Sequence, residues 1–80
     1  MNIEQVLNVL KQQVFDLFPE WEMRGLQPYD SLKDMGANSV DRAEILMLTM
    51  AALKVRSPMV EFAKAQNVGE LAEILMSKLQ

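Results

Sequence analysis

Ser39 is the residue in this sequence best placed to bear chemistry, and little around it would make it react. It stands in "DMGANSVDRAEI", residues 34–45. A serine hydroxyl attacks only when a neighbouring base takes its proton, and the chain contains no histidine, the commonest such base. Lys33 and Lys54 are conceivable partners for a serine–lysine pair, but their spacing gives that pairing no support. Gly36-Ala37-Asn38-Ser39 is not a strand-turn-helix nucleophile elbow either. Asp41 and Glu44 could mimic paired carboxylates, yet at three residues apart on an open helix they read as a solvated face. Asp30, Asp34 and Asp41 lack the spacing of a calcium loop. The chain has no cysteine, which removes disulfides and thiolate metal sites. No catalytic residue and no metal site is therefore expected. Ser39 is a residue to be acted upon.

The elements that would position Ser39 are helical. Over residues 2–18, Ile3, Val6, Leu7, Leu10, Val14 and Leu17 recur at three- and four-residue steps, which predicts one buried stripe. Asn2 caps its start, and Pro19 makes a natural stop. Residues 19–38, punctuated by Pro19, Gly25, Pro28 and Gly36, form a long connection. Trp21, Met23, Leu26, Tyr29, Leu32 and Met35 are expected to pin it down, with one capped turn opening at Ser31. A helix should run from Ser39 to about Leu53. Ser57-Pro58 predicts a short helix to Ala65. Asn67-Val68-Gly69-Glu70 reads as a capping box that opens a last helix through about Leu79, with Leu71, Ile74, Leu75 and Leu79 as its apolar stripe. The expected fold class is all-α: a small antiparallel four-helix bundle, three helices longer and one short, in one domain spanning residues 1–80.

After Glu44 the helix over 39–53 is apolar almost all round. Val40, Ala43, Met47, Met50 and Ala51 fall on one side, and Ile45, Leu46, Thr49, Ala52 and Leu53 on the other. So few neighbours can hardly cover both, and an exposed apolar stripe usually marks an interaction site. The expectation is that the Val40–Ala43–Met47 side, rimmed by Asp41 and Glu44, stays open. Methionine suits a surface that must fit several partners. Core burial of that side, with the Thr49 side open, is the alternative.

Composition narrows the rest. The formal charge is −3 and the pI about 4.8, which argues against nucleic acid and favours basic partners. No apolar run approaches a membrane span, and the N-terminus lacks the basic flank and apolar core of a signal peptide. A cytoplasmic location is the expectation. The start of a helix also suits an added negative charge, because its first N–H groups lack partners and its dipole favours an anion by roughly 0.3–1 kcal/mol. Asn38 or Ser39 could equally be a plain N-cap, worth about 1 kcal/mol.

"SLKDMGANSVDRAEI" resembles the phosphopantetheine attachment site of acyl carrier proteins, whose common form is Leu-Gly-(any)-Asp-Ser-Leu-Asp. Met35-Gly36-Ala37-Asn38-Ser39-Val40-Asp41 fills that pattern. Glu44 and Met47 lie where the family carries a second recognition acid and, often, a methionine. Ser57-Pro58 and Asn67-Val68-Gly69-Glu70-Leu71 look like its later helix openings. The resemblance implies that a phosphopantetheinyl transferase moves 4'-phosphopantetheine from coenzyme A onto Ser39, so that the chain carries acyl groups as thioesters without being an enzyme. It implies docking of partner enzymes on Asn38, Val40, Asp41, Arg42, Ala43, Glu44, Met47 and Met50.

Two departures stand out. Asn38 replaces the usual aspartate, keeping a capping oxygen and losing a charge. Met50, Ala51, Lys54 and Arg56 stand where many members are acidic, which would narrow the set of partners. "GANSVDRAEI" and "SPMVEFAKAQNVGELAEIL" are more narrowly similar to donor carriers of polyketide β-branching cassettes. That likeness implies acetyl or malonyl cargo and an HMG-CoA synthase-like partner. An acyltransferase, a decarboxylating ketosynthase-like enzyme and a monomeric carrier are expected with it. A general polyketide or fatty-acid carrier and an unmodified helical adaptor are the alternatives.

Overall fold

Asn2 opens the first helix as expected: its side chain accepts from the Gln5 N–H at 2.9 Å, and the Gln5 side chain accepts from the Asn2 N–H in return. In the computed structural model, which describes residues 1–79, this helix is α1, Ile3–Leu17. Phe18 ends it before Pro19, and Phe18 stacks on Trp21 across the 3-10 turn Pro19–Trp21, with ring centroids 4.0 Å apart. Then follow the single-turn α2, Leu32–Met35, and α3, Ser39–Leu53. A 3-10 segment, Met59–Phe62, and α4, Val68–Lys78, complete the bundle. Among the described residues there is no strand, and no helix is long and apolar enough to cross a membrane.

α1 packs between α3 and α4 and joins two apolar clusters. Val6 meets Leu46, Met50, Leu53, Phe62, Ala72 and Leu75 in one of them. Leu10 and Val14 meet Ile45, Leu26, Leu32, Ala37 and Val68 in the other. Each fully buried aliphatic side chain contributes roughly 1.5–3 kcal/mol. Among the described residues the buried polar side chain is Thr49, whose hydroxyl donates to the Ile45 carbonyl at 2.7 Å, so it enters the core satisfied.

The long connection is anchored from an unexpected direction. The Val68 N–H donates to the Asp30 carbonyl at 2.9 Å, and the Gly69 N–H donates to the Pro28 carbonyl at 2.7 Å. These amides open α4 and would otherwise lack partners. Glycine suits the contact, since a Cβ at position 69 would lie 3.0 Å from that Pro28 oxygen. Leu26 and Leu32 do pin the connection, and Trp21 and Met35 are half-buried. Met23 and Tyr29 do not: they are 99% and 76% exposed, because backbone bonds to α4 hold the chain where burial of those side chains was expected.

Three further expectations change. The short helix predicted over 58–65 is the 3-10 segment Met59–Phe62, and Pro58 takes the cap position. Ser57 makes no cap; its hydroxyl donates to Glu61, 3.0 Å away. Asn67 caps α4 by accepting from the Glu70 N–H at 2.8 Å, but the Glu70 carboxylate reaches one residue further back and accepts from the Gln66 N–H. The reciprocal half of the capping box is therefore displaced by one residue. Lys78 pairs with Glu61 and ties α4 to the 3-10 segment. Hydrogen bonds from Lys78 and Ser57 hold the Glu61 carboxyl below its ordinary pKa.

α3 ends on Lys54 in the left-handed conformation, φ 59°, the conformation in which glycine usually ends a helix. For a non-glycine residue this costs roughly 1–2 kcal/mol. A cation beside the last carbonyls offsets part of it, by about 0.3–1 kcal/mol.

Candidate functional site

The site is built by two turns placed back to back. Ser31 caps α2 by accepting from the Asp34 N–H at 3.2 Å, and Gly36, at φ 119°, closes the turn. That left-handed position is available to glycine at little cost. Ala37 then plugs into the core, and the chain restarts as α3.

The question of which residue caps α3 resolves on Asn38. Its Oδ1 accepts from the Asp41 N–H at 2.8 Å, and the Asp41 carboxylate accepts from the Asn38 N–H at 3.2 Å. Asn38 thus keeps the capping oxygen, and Asp41 divides its carboxylate between this box and solvent. Arg42 donates to the Ala37 carbonyl at 2.7 Å, fastening the turn from the other side. Ser39 is left as the first residue of the helix, exposed, and its hydroxyl has no hydrogen-bond partner among the described residues. We expect Asn38→Ala to lower stability by about 1 kcal/mol and Asn38→Asp to hold it near wild type. Thermal unfolding of the two variants checks this.

Ser39 lies on the rim of a cleft of about 630 Å³ between α3 and the 3-10 segment. Arg42, Ala43 and Leu46 form one wall, and Met59, Phe62 and Leu71 contribute to the rest. Asp34 and Lys33 line the same cleft, but no side chain among the described residues is hydrogen-bonded to the Ser39 hydroxyl, so it is accessible and not engaged by a base. A group attached to it would leave every capping bond intact and would have both open solvent and the cleft beside it. That is the geometry an attached arm requires.

Down the helix, the open side is largely as expected. Val40 is 74% exposed and Met47 60%, Glu44 is exposed, and Asp41, Arg42 and Ala43 are half-buried. Met50 is a correction. It is buried at 8%, because it shares a face with Leu46 and Leu53 and joins their cluster with Val6 and Phe62. Ala52, expected in the core, is exposed. It follows Leu48 by four residues, and Leu48 itself is 44% exposed. Leu48 is an exposed position that the apolar pattern alone does not mark. Its signal was positional: Leu48 stands four residues after Glu44, on the same side as that charge.

The fold and this site define a carrier rather than a catalyst. The chain belongs to the phosphopantetheine attachment site family, which it matches over residues 12–75, and the cofactor of that family is 4'-phosphopantetheine. It is an acyl carrier protein, 36% identical over its whole length to the polyketide biosynthesis acyl-carrier-protein AcpK of Bacillus subtilis (strain 168), of which the match covers 98%. Among solved structures it resembles a chain in the crystal structure of the curacin biosynthetic pathway HMG synthase in complex with acetyl donor-ACP. That match has a TM-score of 0.91 and 45% identity, covering 98% of this chain and all of the other. A chain so fully covered by 80 residues is the small carrier of that complex.

Proposed function

We propose that this protein is the acetyl donor of a polyketide β-branching reaction, with Ser39 as its attachment serine. The likeness to the acetyl donor-ACP carries the reading: 45% identity over nearly the whole chain. The bound cofactor supplies a thiol on a flexible arm, to which acyl groups are joined as thioesters. The protein's own residues do the rest. Asn38 and Asp41 hold the helix start so that the Ser39 hydroxyl faces outward, toward a phosphopantetheinyl transferase. Val40, Met47 and Leu48 offer apolar area to an HMG synthase-like enzyme, with Asp41 and Glu44 as charged neighbours. Asn38, Arg42 and Ala43 complete the docking edge at the top of the helix. An acyltransferase and a decarboxylating ketosynthase-like enzyme are the suppliers of the acetyl group. The carrier works as one domain and as a monomer in the cytoplasm.

The reading is tested by loading the protein with acetyl-phosphopantetheine and measuring transfer of acetyl to the curacin-pathway HMG synthase. A fatty-acid carrier loaded in the same way is the comparison. Transfer from this protein should exceed transfer from the fatty-acid carrier at least tenfold. Equal rates would reduce the assignment to a general acyl carrier.

A further inference from the structure

The exposed side of α3 changes sign along its length. Asp41 and Glu44 stand in the first turns, Met47 and Leu48 follow, then the small exposed residues Ala51 and Ala52. Lys54 and Arg56 close the far end. Ten residues at 1.5 Å rise put Lys54 about 15 Å along the axis from Glu44, well beyond direct pairing distance. Val55, between the two cations, is 7% exposed and part of the core cluster, while Lys54 and Arg56 on either side of it are exposed. Neither has a carboxylate partner: the salt bridges among the described residues are Arg24–Asp30 and Lys78–Glu61. The helix dipole explains a cation at Lys54 in part. It does not reach Arg56, which lies beyond the last turn. Lys54 also keeps a left-handed backbone that glycine would adopt with less strain.

We propose that Lys54 and Arg56 are a specificity contact that meets an acidic patch on the HMG synthase-like partner. The inference rests on the donor reading and adds the sign of the partner's surface: basic opposite Asp41 and Glu44, acidic opposite Lys54, about 15 Å along the axis from Glu44, and opposite Arg56 beyond it. A docking strip with opposite charges at its two ends has one favourable direction along the partner, because the reversed pose sets like charges together. It also excludes carriers whose α3 equivalent is acidic at both ends. Ala51 and Ala52 carry too little side chain to hold the partner's surface away from the cations.

The test uses acetyl-loaded holo-protein and the curacin-pathway HMG synthase, with kcat/KM for acetyl transfer measured at low and high salt. Lys54→Glu/Arg56→Glu should lower kcat/KM tenfold or more, about 1.4 kcal/mol, chiefly through KM, and the deficit should shrink at high salt. Lys54→Gly removes one charge while relieving the backbone. It should raise Tm by a few degrees and still lower kcat/KM severalfold. Gain of stability with loss of transfer separates a docking role from a structural one. Wild-type kcat/KM in the doubly reversed protein overturns the proposal and leaves the donor reading standing. No transfer from wild-type protein overturns the donor reading and this inference with it.

Discussion

Ser39→Ala protein, incubated with coenzyme A and a broad-specificity phosphopantetheinyl transferase, should gain no mass, while wild-type protein gains one arm. This is a loss without residue, because the other serines are differently placed. The hydroxyls of Ser57 and Ser77 are engaged with Glu61 and the Ile74 carbonyl, and Ser31 accepts from the Asp34 N–H. Folding should be untouched. Asn38 rather than Ser39 holds the cap of α3, and the Ser39 hydroxyl joins no hydrogen bond among the described residues. Alanine is also a better helix former than serine. Wild-type and Ser39→Ala proteins should therefore unfold within about 0.5 kcal/mol of one another. Intact-mass measurement reads the first outcome and thermal unfolding the second. Uptake of the arm by Ser39→Ala would place the attachment elsewhere and end the assignment of this site.

The second large effect lies beneath the same helix. Ile45 is fully buried, packed in the cluster that holds Leu10, Val14, Leu32 and Ala37. Ile45→Ala leaves a void there and should cost about 2–5 kcal/mol. For 80 residues, total stability of roughly 0.05–0.15 kcal/mol per residue makes that a large share of the whole. The Tm should fall by roughly 10–30 °C. Val40→Ala, five residues earlier on the same helix and 74% exposed, should change stability by no more than about 0.5 kcal/mol. Chemical denaturation of the pair measures both. A larger loss for Val40→Ala than for Ile45→Ala would mean that the buried and open sides of α3 have been exchanged.

That distinction is where the sequence was hardest to read. α1 was legible because its apolar residues form one stripe and its ends carry unambiguous signals, Asn2 at one and Pro19 at the other. The start of α3 was legible from Gly36 and the candidate caps Asn38 and Ser39, whereas its end, on a left-handed Lys54, carries no glycine to announce it. The facing of α3 was only partly legible. A helix apolar on every side lets its neighbours decide what is covered, and here α1 and the 3-10 segment took Met50 and left Leu48 and Ala52 outside. Tyr29 and Met23 misled in another way. Their types suggest burial, but the bonds that hold their loop come from backbone amides of α4, which no side-chain pattern records. Ser39 itself is chemically mute. Its neighbours exclude most reactions, and the positive reading came from the resemblance of the whole motif, joined afterwards by the family match over residues 12–75.

The two bonds from Val68 and Gly69 to Asp30 and Pro28 give the stretch between α1 and α3 an uncommon mechanical standing. Most surface crossings accept insertions and carry little weight. This one is a strut: one end is set by the first helix, the middle is bolted to the last, and the far end delivers the serine. Lengthening it, or trimming the C-terminal helix that braces it, would shift Ser39 without touching any residue near it.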